Sequence, residues 1–409
     1  MLRRLASLLV TSLLLVGTAW PVSYTASRHV GMANGLANDG VLELAIDGMG
    51  YVWVATEAGV SRIAGSTCIS LRWPDGSGPI VQRVAALYWH EPTGQMMIGT
   101  ELGLVLYHLA SGETTLLNAE HGMMASSVED ISWASPDEVW LVYGNGEVQR
   151  MDVGRRTFET LSLTPHFQNR CLLDDGHGRL YIGHSQHGLS VVSLTGGATR
   201  HFEEDSSGLP GNNVRCICFD DRQRVWVGCD GGLVLFNPVS DVFTRVPLDA
   251  DGFDDNVYDI VQMRDGTLWV ATDMGGIKIV NPDNFVATSK PLPTDDYENF
   301  RVKVSSLNTR SLAQDEYGNI WVGNHGTGVD FVSEQRSEFE LLDYRDIERQ
   351  PRPVYSMAPN ADGGFWMASD DELVLWADGR MQGRWSGQAQ MRRRHSLTRC
   401  MMNDSNSHV

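Results

Sequence analysis

The chain has 409 residues, of which 42% are hydrophobic and 20% charged, with 42 glycines and 12 tryptophans, a composition that excludes intrinsic disorder. Its 51 acidic and 32 basic residues give a formal net charge of −19, which opposes binding to nucleic acid or to an anionic membrane. This acidic balance only weakly favours neutral or cationic ligands.

The N-terminus has the pattern of an export signal. Arg3 and Arg4 precede an apolar run at 5–16, and the small residues of 17–19 follow it. We therefore predict a signal peptide at 1–22 and a periplasmic location. The apolar run is shorter than the roughly 20 residues of a membrane helix, so an uncleaved anchor is the second interpretation.

A motif with a period of about 44 residues follows the signal. In each copy, a turn rich in Asp, Gly and Asn precedes a large apolar residue and then small or β-branched residues, as in 47–56 (DGMGYVWVAT) and 265–272 (DGTLWVAT). The large apolar residue serves as a marker of each copy. The markers are Trp53, Met97, Trp140, Tyr181, Trp226, Trp269, Trp321 and Trp366.

Each period contains the material for four short strands. An alternating stretch such as 213–219 precedes the marker, and a glycine turn with an apolar run such as 231–236 follows it. A further short strand often carries a phenylalanine, such as Phe243. Four strands per 40 to 45 residues predict an all-β fold made of propeller blades, with the markers packed between adjacent blades.

The first seven markers predict a seven-bladed propeller of four-stranded antiparallel blades over 24–344. Residues 28–36 (RHV followed by GL) are similar to 200–209 (RHF followed by GL), which directly precede a blade. We therefore predict that residues 25–31 add an outer strand to the seventh blade and close the ring. The longest step between markers, 52 residues, places an insertion near 291–301.

The eighth marker, Trp366, is left outside this ring. Residues 396–409 copy the part of the motif that precedes a marker, and a ninth marker would fall at position 410. We therefore expect a fragment, with 345–409 as the incomplete start of a second propeller of one to two blades. These residues would be poorly packed without their partners.

The order Gly-Leu-x-x-x-x-Val, Asp-x-x-Gly-x-x-Trp-Val-Ala-Thr and Gly-Val or Gly-Gly resembles the two-component regulator propeller repeat. The best copies are 35–60, 208–236, 256–280 and 310–332, whereas those at Met97 and Trp140 depart from the pattern. The resemblance implies the N-terminal periplasmic sensor region of a hybrid two-component histidine kinase of the Bacteroidota type. It also implies a carbohydrate or glycan breakdown product as ligand, and a membrane helix and kinase that this fragment lacks.

Polar residues at the ends of the marker strands are the candidate ligand contacts, because we expect them in loops on one rim of the ring. They are Glu57, Glu101, His184, Asp230, Asp273, Asn324 and His325. We predict no catalytic residue, no cofactor and no metal site. The cluster of His177, His184 and His187 falls at opposite ends of one strand, which favours ordinary loop histidines over a metal centre.

Six cysteines are scattered without a C-x-x-C pair. Free thiols are expected, and one disulfide among Cys216, Cys218 and Cys229 is the alternative for an exported protein.

The sequence thus predicts a ligand-sensing, non-enzymatic module of a two-component receptor. Its expected partners are a small molecule or oligosaccharide and a second copy of the parent receptor, with no nucleic acid. Membrane contact is expected only through the missing C-terminal part or an uncleaved anchor. The alternatives are a secreted lyase of the streptogramin-lyase type, which needs a His and Glu site with Mg²⁺, and a non-catalytic interaction scaffold.

Overall fold

The computed structural model describes residues 24–65, 67–163, 165–196, 198–248, 256–285, 302–333, 356–360, 364–368, 372–377 and 380–386. The predicted signal peptide, the insertion near 291–301 and the motif copy at 396–409 lie outside these residues. The chain divides into two compact units, Met1–Gln335 and Arg336–Val409.

The described part of the chain consists almost entirely of short strands. In the first unit they are β1 (Tyr24–Val30), β2 (Val41–Ile46), β3 (Val52–Thr56), β4 (Gly59–Ala64), β5 (Thr67–Ser70), β6 (Val84–His90), β7 (Gln95–Thr100), β8 (Gly103–His108), β9 (Thr114–Leu117), β10 (Val128–Ser135), β11 (Glu138–Tyr143), β12 (Val148–Asp152), β13 (Thr157–Leu161), β14 (Asn169–Asp174), β15 (Arg179–His184), β16 (Leu189–Ser193), β17 (Arg200–Phe202), β18 (Val214–Phe219), β19 (Val225–Cys229), β20 (Gly232–Asn237), β21 (Val242–Val246), β22 (Val257–Gln262), β23 (Leu268–Thr272), β24 (Ile277–Val280), β25 (Val302–Lys303), β26 (Thr309–Gln314), β27 (Ile320–Asn324) and β28 (Gly328–Val332). Single-turn 3-10 helices are Met32–Asn34, Glu91–Thr93, Ala119–His121 and Glu204–Ser206.

These strands form seven successive sheets within the described residues of the first unit. Sheets 1 to 5 are β2–β5, β6–β9, β10–β13, β14–β17 and β18–β21, sheet 6 is β22–β24, and sheet 7 contains β26–β28 with β1 and β25. The innermost strands contact one another in chain order, and β26 of sheet 7 contacts β2 of sheet 1. The sheets therefore close into a ring, and the predicted all-β propeller fold is confirmed.

The conserved spacing of the motif has a hydrogen-bonding cause. Asp47 Oδ1 accepts the backbone N–H groups two and four residues later, and its Oδ2 accepts the indole N–H of Trp53 at 2.8 Å. Asp220 repeats this arrangement with Trp226 at 2.9 Å. Gly50 takes the left-handed conformation, φ 79°, that the turn requires. One aspartate thus fixes both the turn and the orientation of the marker.

Each marker lies in a hydrophobic cluster that joins its own sheet to the next one. Trp53 of sheet 1 packs with Val84 and Met96 of sheet 2, and Trp321 of sheet 7 packs with Val41 of sheet 1. The predicted packing of the markers between sheets is confirmed, and it distributes the core of this unit around the ring.

Strand β1 closes the ring as an added strand of sheet 7. It pairs antiparallel with β28, with Val30 opposite Val329, and parallel with β25. His29 Nδ1 lies 2.8 Å from Asp330 Oδ1. The prediction from the similarity of 28–36 to 200–209 is confirmed, because the same local sequence supplies an outer strand in both places.

The second unit contains one described sheet of β29 (Ser356–Pro359), β30 (Phe365–Ala368), β31 (Glu372–Ala377) and β32 (Arg380–Ser386). Its marker, Trp366, lies 5.1 Å from Trp385 between ring centroids. The buried cluster of this sheet is small and consists of Met367, Val374 and Trp376. The second propeller over 345–409 remains a prediction.

The described cysteines are free thiols, namely Cys68, Cys171, Cys216, Cys218 and Cys229, which confirms the default interpretation; Cys400 lies outside the described residues. Among the same residues no helix has the length and apolarity that crossing a membrane requires.

Candidate ligand-binding cavity at the ring axis

The innermost strands of all seven sheets line one axial cavity of about 1040 Å³. In every one of these strands, the pairing with the second strand shifts between the first and the third residue. Such a β-bulge leaves the second residue out of the ladder and redirects its side chain. The second residue of each innermost strand therefore reaches the cavity instead of the interface between sheets.

These seven bulged residues, here called the bulge ring, all line the cavity. They are Leu42, Ala85, Glu129, Arg170, Arg215, Tyr258 and Arg310. Since the same backbone position carries seven sites of such different chemistry, the bulge ring gives the cavity a basic side and a less basic one.

The basic side consists of three arginines around one tyrosine. The guanidinium carbons of Arg310 and Arg215 lie 3.5 Å and 4.3 Å from the ring centroid of Tyr258. Loss of solvation lowers the pKa of Arg310 to about 10, and the positive charges of Arg215 and Arg170 lower it further. Desolvation and then Arg215 also lower the pKa of Arg170.

On the other side, the charges of the bulge ring are compensated. Arg83, directly before β6, donates to both carboxylate oxygens of Glu129, at 2.9 Å and 3.1 Å. Ser127 Oγ donates to the same carboxylate at 2.7 Å. Leu42 and Ala85 complete this side without charge.

One residue further along the innermost strands, three carboxylates connect neighbouring sheets. Glu43, Asp130 and Asp259 each accept the backbone N–H of a residue on the next sheet, at 2.7 to 2.8 Å. Loss of solvation raises the pKa of Asp130 and of Asp259 to about 6, and raises that of Glu43 well above its usual value. Ser311 has the equivalent role in sheet 7, accepting the N–H of Leu44 at 3.0 Å.

The structure distributes the sequence-predicted rim residues over different environments. Glu57 and His325 line the axial cavity. Asp230 lies beside it and holds Arg215, with Oδ1 2.6 Å from Nε. Glu101 is exposed and Asp273 half-buried, and neither lines the cavity.

The two remaining predicted residues, His184 and Asn324, end their strands and are buried. Asn324 donates to Asp330 at 3.0 Å. The ring nitrogens of His184 lie 2.7 Å from Asn169 Oδ1 and from Ser190 Oγ. Desolvation lowers the pKa of His184 to about 3, so this histidine is neutral and has a packing role.

The other two histidines of the sequence cluster lie apart in function. His177 Nδ1 contacts the carbonyl oxygen of Asp175 at 2.6 Å in an exposed turn, whereas His187 stacks on Phe167 at 4.4 Å. Among the described residues, no three His, Cys, Asp or Glu side chains are placed to hold a metal ion together.

The arginines of the bulge ring were missed by the sequence analysis. Their signal is present, because Arg170, Arg215 and Arg310 occupy the same position of their repeats. An alternating strand pattern assigns that position to one face of a sheet, and only the bulge directs it to the axis.

Comparisons with known proteins agree with this architecture. A family model described as two-component regulator propeller matches residues 208–231 and 303–326. No curated protein matches the sequence.

Several solved structures share the fold. The extracellular domain of BT3049 from B. thetaiotaomicron, described as a hybrid two-component system, has a TM-score of 0.65 and 24% identity, over 90% of this chain and 49% of that one. The extracellular domain of BT4673 from the same organism has a TM-score of 0.60 and 16% identity, over 89% and 47%. A streptogramin B lyase has a TM-score of 0.55 and 11% identity, over 73% and 95%. This chain thus spans about half the length of the first two structures.

Proposed function

We propose that this chain, a member of the two-component regulator propeller repeat family, is the ligand-sensing module of a periplasmic two-component receptor. In this proposal a carbohydrate or glycan breakdown product binds in the axial cavity. The signal then passes to a histidine kinase of the parent protein, while the chain itself catalyses no reaction.

The observation that carries the proposal is the bulge ring. Seven equivalent backbone positions present seven differently composed side chains to one cavity, whereas the turns and markers of the same repeats stay alike. The volume of about 1040 Å³ is at the upper end of the range for small-molecule sites and accommodates a short oligosaccharide.

The location and partners in this proposal come from the sequence and the comparisons. The export-signal pattern at 1–22 favours the periplasm. The similar structures from B. thetaiotaomicron are extracellular domains of signalling systems, which supports the sensor class. Dimerisation through the parent receptor and anchoring in the inner membrane belong to the same proposal.

A lyase of the streptogramin type is the second candidate, because the fold of such an enzyme covers 73% of this chain. That chemistry needs a His and carboxylate site for Mg²⁺. The cavity lining contains one histidine, His325, and the described residues bring no three metal-binding side chains together. The residues of the cavity therefore favour a binding site over this reaction.

Isothermal titration calorimetry of the purified full chain against a diverse glycan panel tests the proposal. We expect at least one glycan to bind with one-to-one stoichiometry. Ala85→Trp, which places a large side chain in the cavity, should abolish this binding. Ala110→Trp, at an exposed position outside the cavity lining, should leave it unchanged. Silence across chemically diverse glycans, or binding unaffected by Ala85→Trp, would contradict the proposal.

A further inference from the structure

We propose that the ligand is an anionic saccharide, and that Arg170 and Arg310 bind its carboxylate or sulfate group in the axial cavity. The inference rests on the proposed function for the saccharide part of the ligand. The anionic part follows from the charges that line the cavity.

The first argument is the pairing of the arginines. Arg83 has Glu129 as its ion-pair partner, and Arg215 has Asp230. Within the described part of the chain, neither Arg170 nor Arg310 has a carboxylate at ion-pair distance. Two guanidinium groups therefore face the cavity without a protein counter-charge.

The second argument is an incomplete set of hydrogen bonds. Arg310 Nε is buried and has no acceptor among the described residues. Arg170 donates to Asn213 Oδ1 at 3.2 Å, which is a neutral acceptor. A buried donor of a charged group that lacks an acceptor is costly, and an anion entering the cavity would supply the missing acceptors.

The third argument is the cost of collecting like charges. Desolvation and the neighbouring arginines both lower the pKa of Arg310, so the free protein holds this charge against repulsion. The chain has 51 acidic residues that could have compensated it, yet the overall charge of −19 is reversed locally at this side of the cavity. A bound anion removes the repulsion, and this gain favours binding.

The arginines are also held in position before a ligand arrives. Arg310 stacks on Tyr258 at 3.5 Å, and Arg215 lies over the same ring at 4.3 Å while Asp230 fixes its Nε. A planar guanidinium matches the two oxygens of a carboxylate or sulfate, and stacking reduces the entropy lost on binding.

The acidic side chains of the cavity do not cancel this preference. Glu43, Asp130 and Asp259 accept backbone N–H groups of the next sheet and belong to the layer that connects the sheets. Glu57 is exposed and raises the pKa of Arg310, so it is the one carboxylate of the lining that acts on this arginine in the described structure. The preference for an anion is therefore local to the side with three arginines.

Calorimetry of the full chain with matched ligands tests the inference. The probes are trigalacturonate, a sulfated chondroitin disaccharide, neutral galactotriose and sodium sulfate. We expect an anionic saccharide to bind at least about tenfold more tightly than galactotriose, with an affinity that falls between 25 and 300 mM NaCl, roughly a threefold change in Debye length. The two anionic probes distinguish a carboxylate from a sulfate.

Arg170→Gln and Arg310→Gln should each weaken binding about tenfold, because each removes a charge-assisted hydrogen bond. Arg310→Lys should restore part of the affinity. Arg150→Gln is the matched control, since Arg150 pairs with Glu159 on sheet 3 outside the cavity lining. Unchanged thermal unfolding of Arg170→Gln, which alters an exposed side chain, shows that a loss of binding is not a loss of fold.

Each outcome separates the two proposals. Galactotriose binding as tightly as the anionic probes would overturn the anionic class and leave the proposed sensing of carbohydrate intact. Sulfate binding that both arginine variants weaken, without any saccharide binding, would support the anion site and contradict the carbohydrate ligand. Binding of no probe, or binding that Arg170→Gln and Arg310→Gln leave unchanged, would overturn the inference.

Discussion

The markers and the bulge ring are two sets of equivalent positions in the same seven repeats, and they differ in composition. Five of the seven markers of the first unit are tryptophan or tyrosine, and all lie between sheets; Trp53, Trp226 and Trp269 are at most 1% exposed. The bulge ring contains aliphatic, acidic, basic and aromatic residues at one backbone position. Packing between sheets demands the same solution at each interface, whereas the axis permits a different residue on every sheet.

The largest effect should follow from breaking a marker. Trp226→Ala removes a side chain of 0% exposure that joins sheets 5 and 6, and leaves Asp220 without its indole partner. We expect the free energy of unfolding, measured with a denaturant, to fall by about 3–5 kcal/mol. Trp133→Ala, whose side chain is 42% exposed, is the control and should cost at most about 1 kcal/mol. Equal losses in both variants would remove the distinction between marker and surface tryptophan.

A medium effect is expected in the carboxylate layer beside the bulge ring. The pKa of Asp259 is about 6 in the fold, above the value of about 3.9 in an unfolded chain, so the folded state binds the extra proton. Its ionisation therefore destabilises the fold as pH rises from about 4 to above 6. Asp259→Asn should stabilise the protein at pH 8 by about 1–2 kcal/mol and make the pH dependence shallower.

Unfolding free energies between pH 4.5 and 8 measure this effect. Asp75→Asn is the control, because Asp75 is exposed and the hydrogen bond from the Ser77 side chain lowers its pKa. This variant should leave the slope above pH 4.5 unchanged. A variant of Asp259 that keeps the full slope would show that the carboxylates of the axis are not the destabilised groups.

The smallest effect concerns two equivalent rim positions. Glu57 lines the cavity and Glu101, its counterpart on sheet 2, does not. Glu57→Gln should raise the affinity for an anionic saccharide about twofold at low salt, because it removes an exposed like charge near Arg310. Glu101→Gln should have no effect in the same titration. Equal gains would indicate a response to net charge and not to the cavity.

The ring and its closure could be predicted because they depend on residues that repeat. The aspartate of each turn, the marker and the glycine between them form a local unit, so Asp47 and Asp220 give the same signal in the sequence. The closing strand was found for the same reason. The folding of residues 28–36 follows from what 200–209 do elsewhere in the chain.

The axial site could not be derived in this way, because its members come from different repeats and do not resemble one another. The alternation in 214–219 gives no sign that Arg215 leaves the ladder, since a bulge changes the pairing and not the pattern. Cys216, the next residue, faces the same uncertainty. His184 shows the reverse problem, because a polar residue near a rim is buried there by bonds to Asn169 and Ser190.

Strand β1 is the earliest described segment to be synthesised, and its partner β28 lies about 300 positions later. The circle of sheets thus cannot be completed until the ribosome has passed residue 332. Bringing such distant segments together costs loop-closure entropy, which makes completion a late and slow step of folding. During that interval the edge of β28 is unpaired and open to wrong partners, so the nascent protein depends on chaperones most at the moment when its last sheet is already formed.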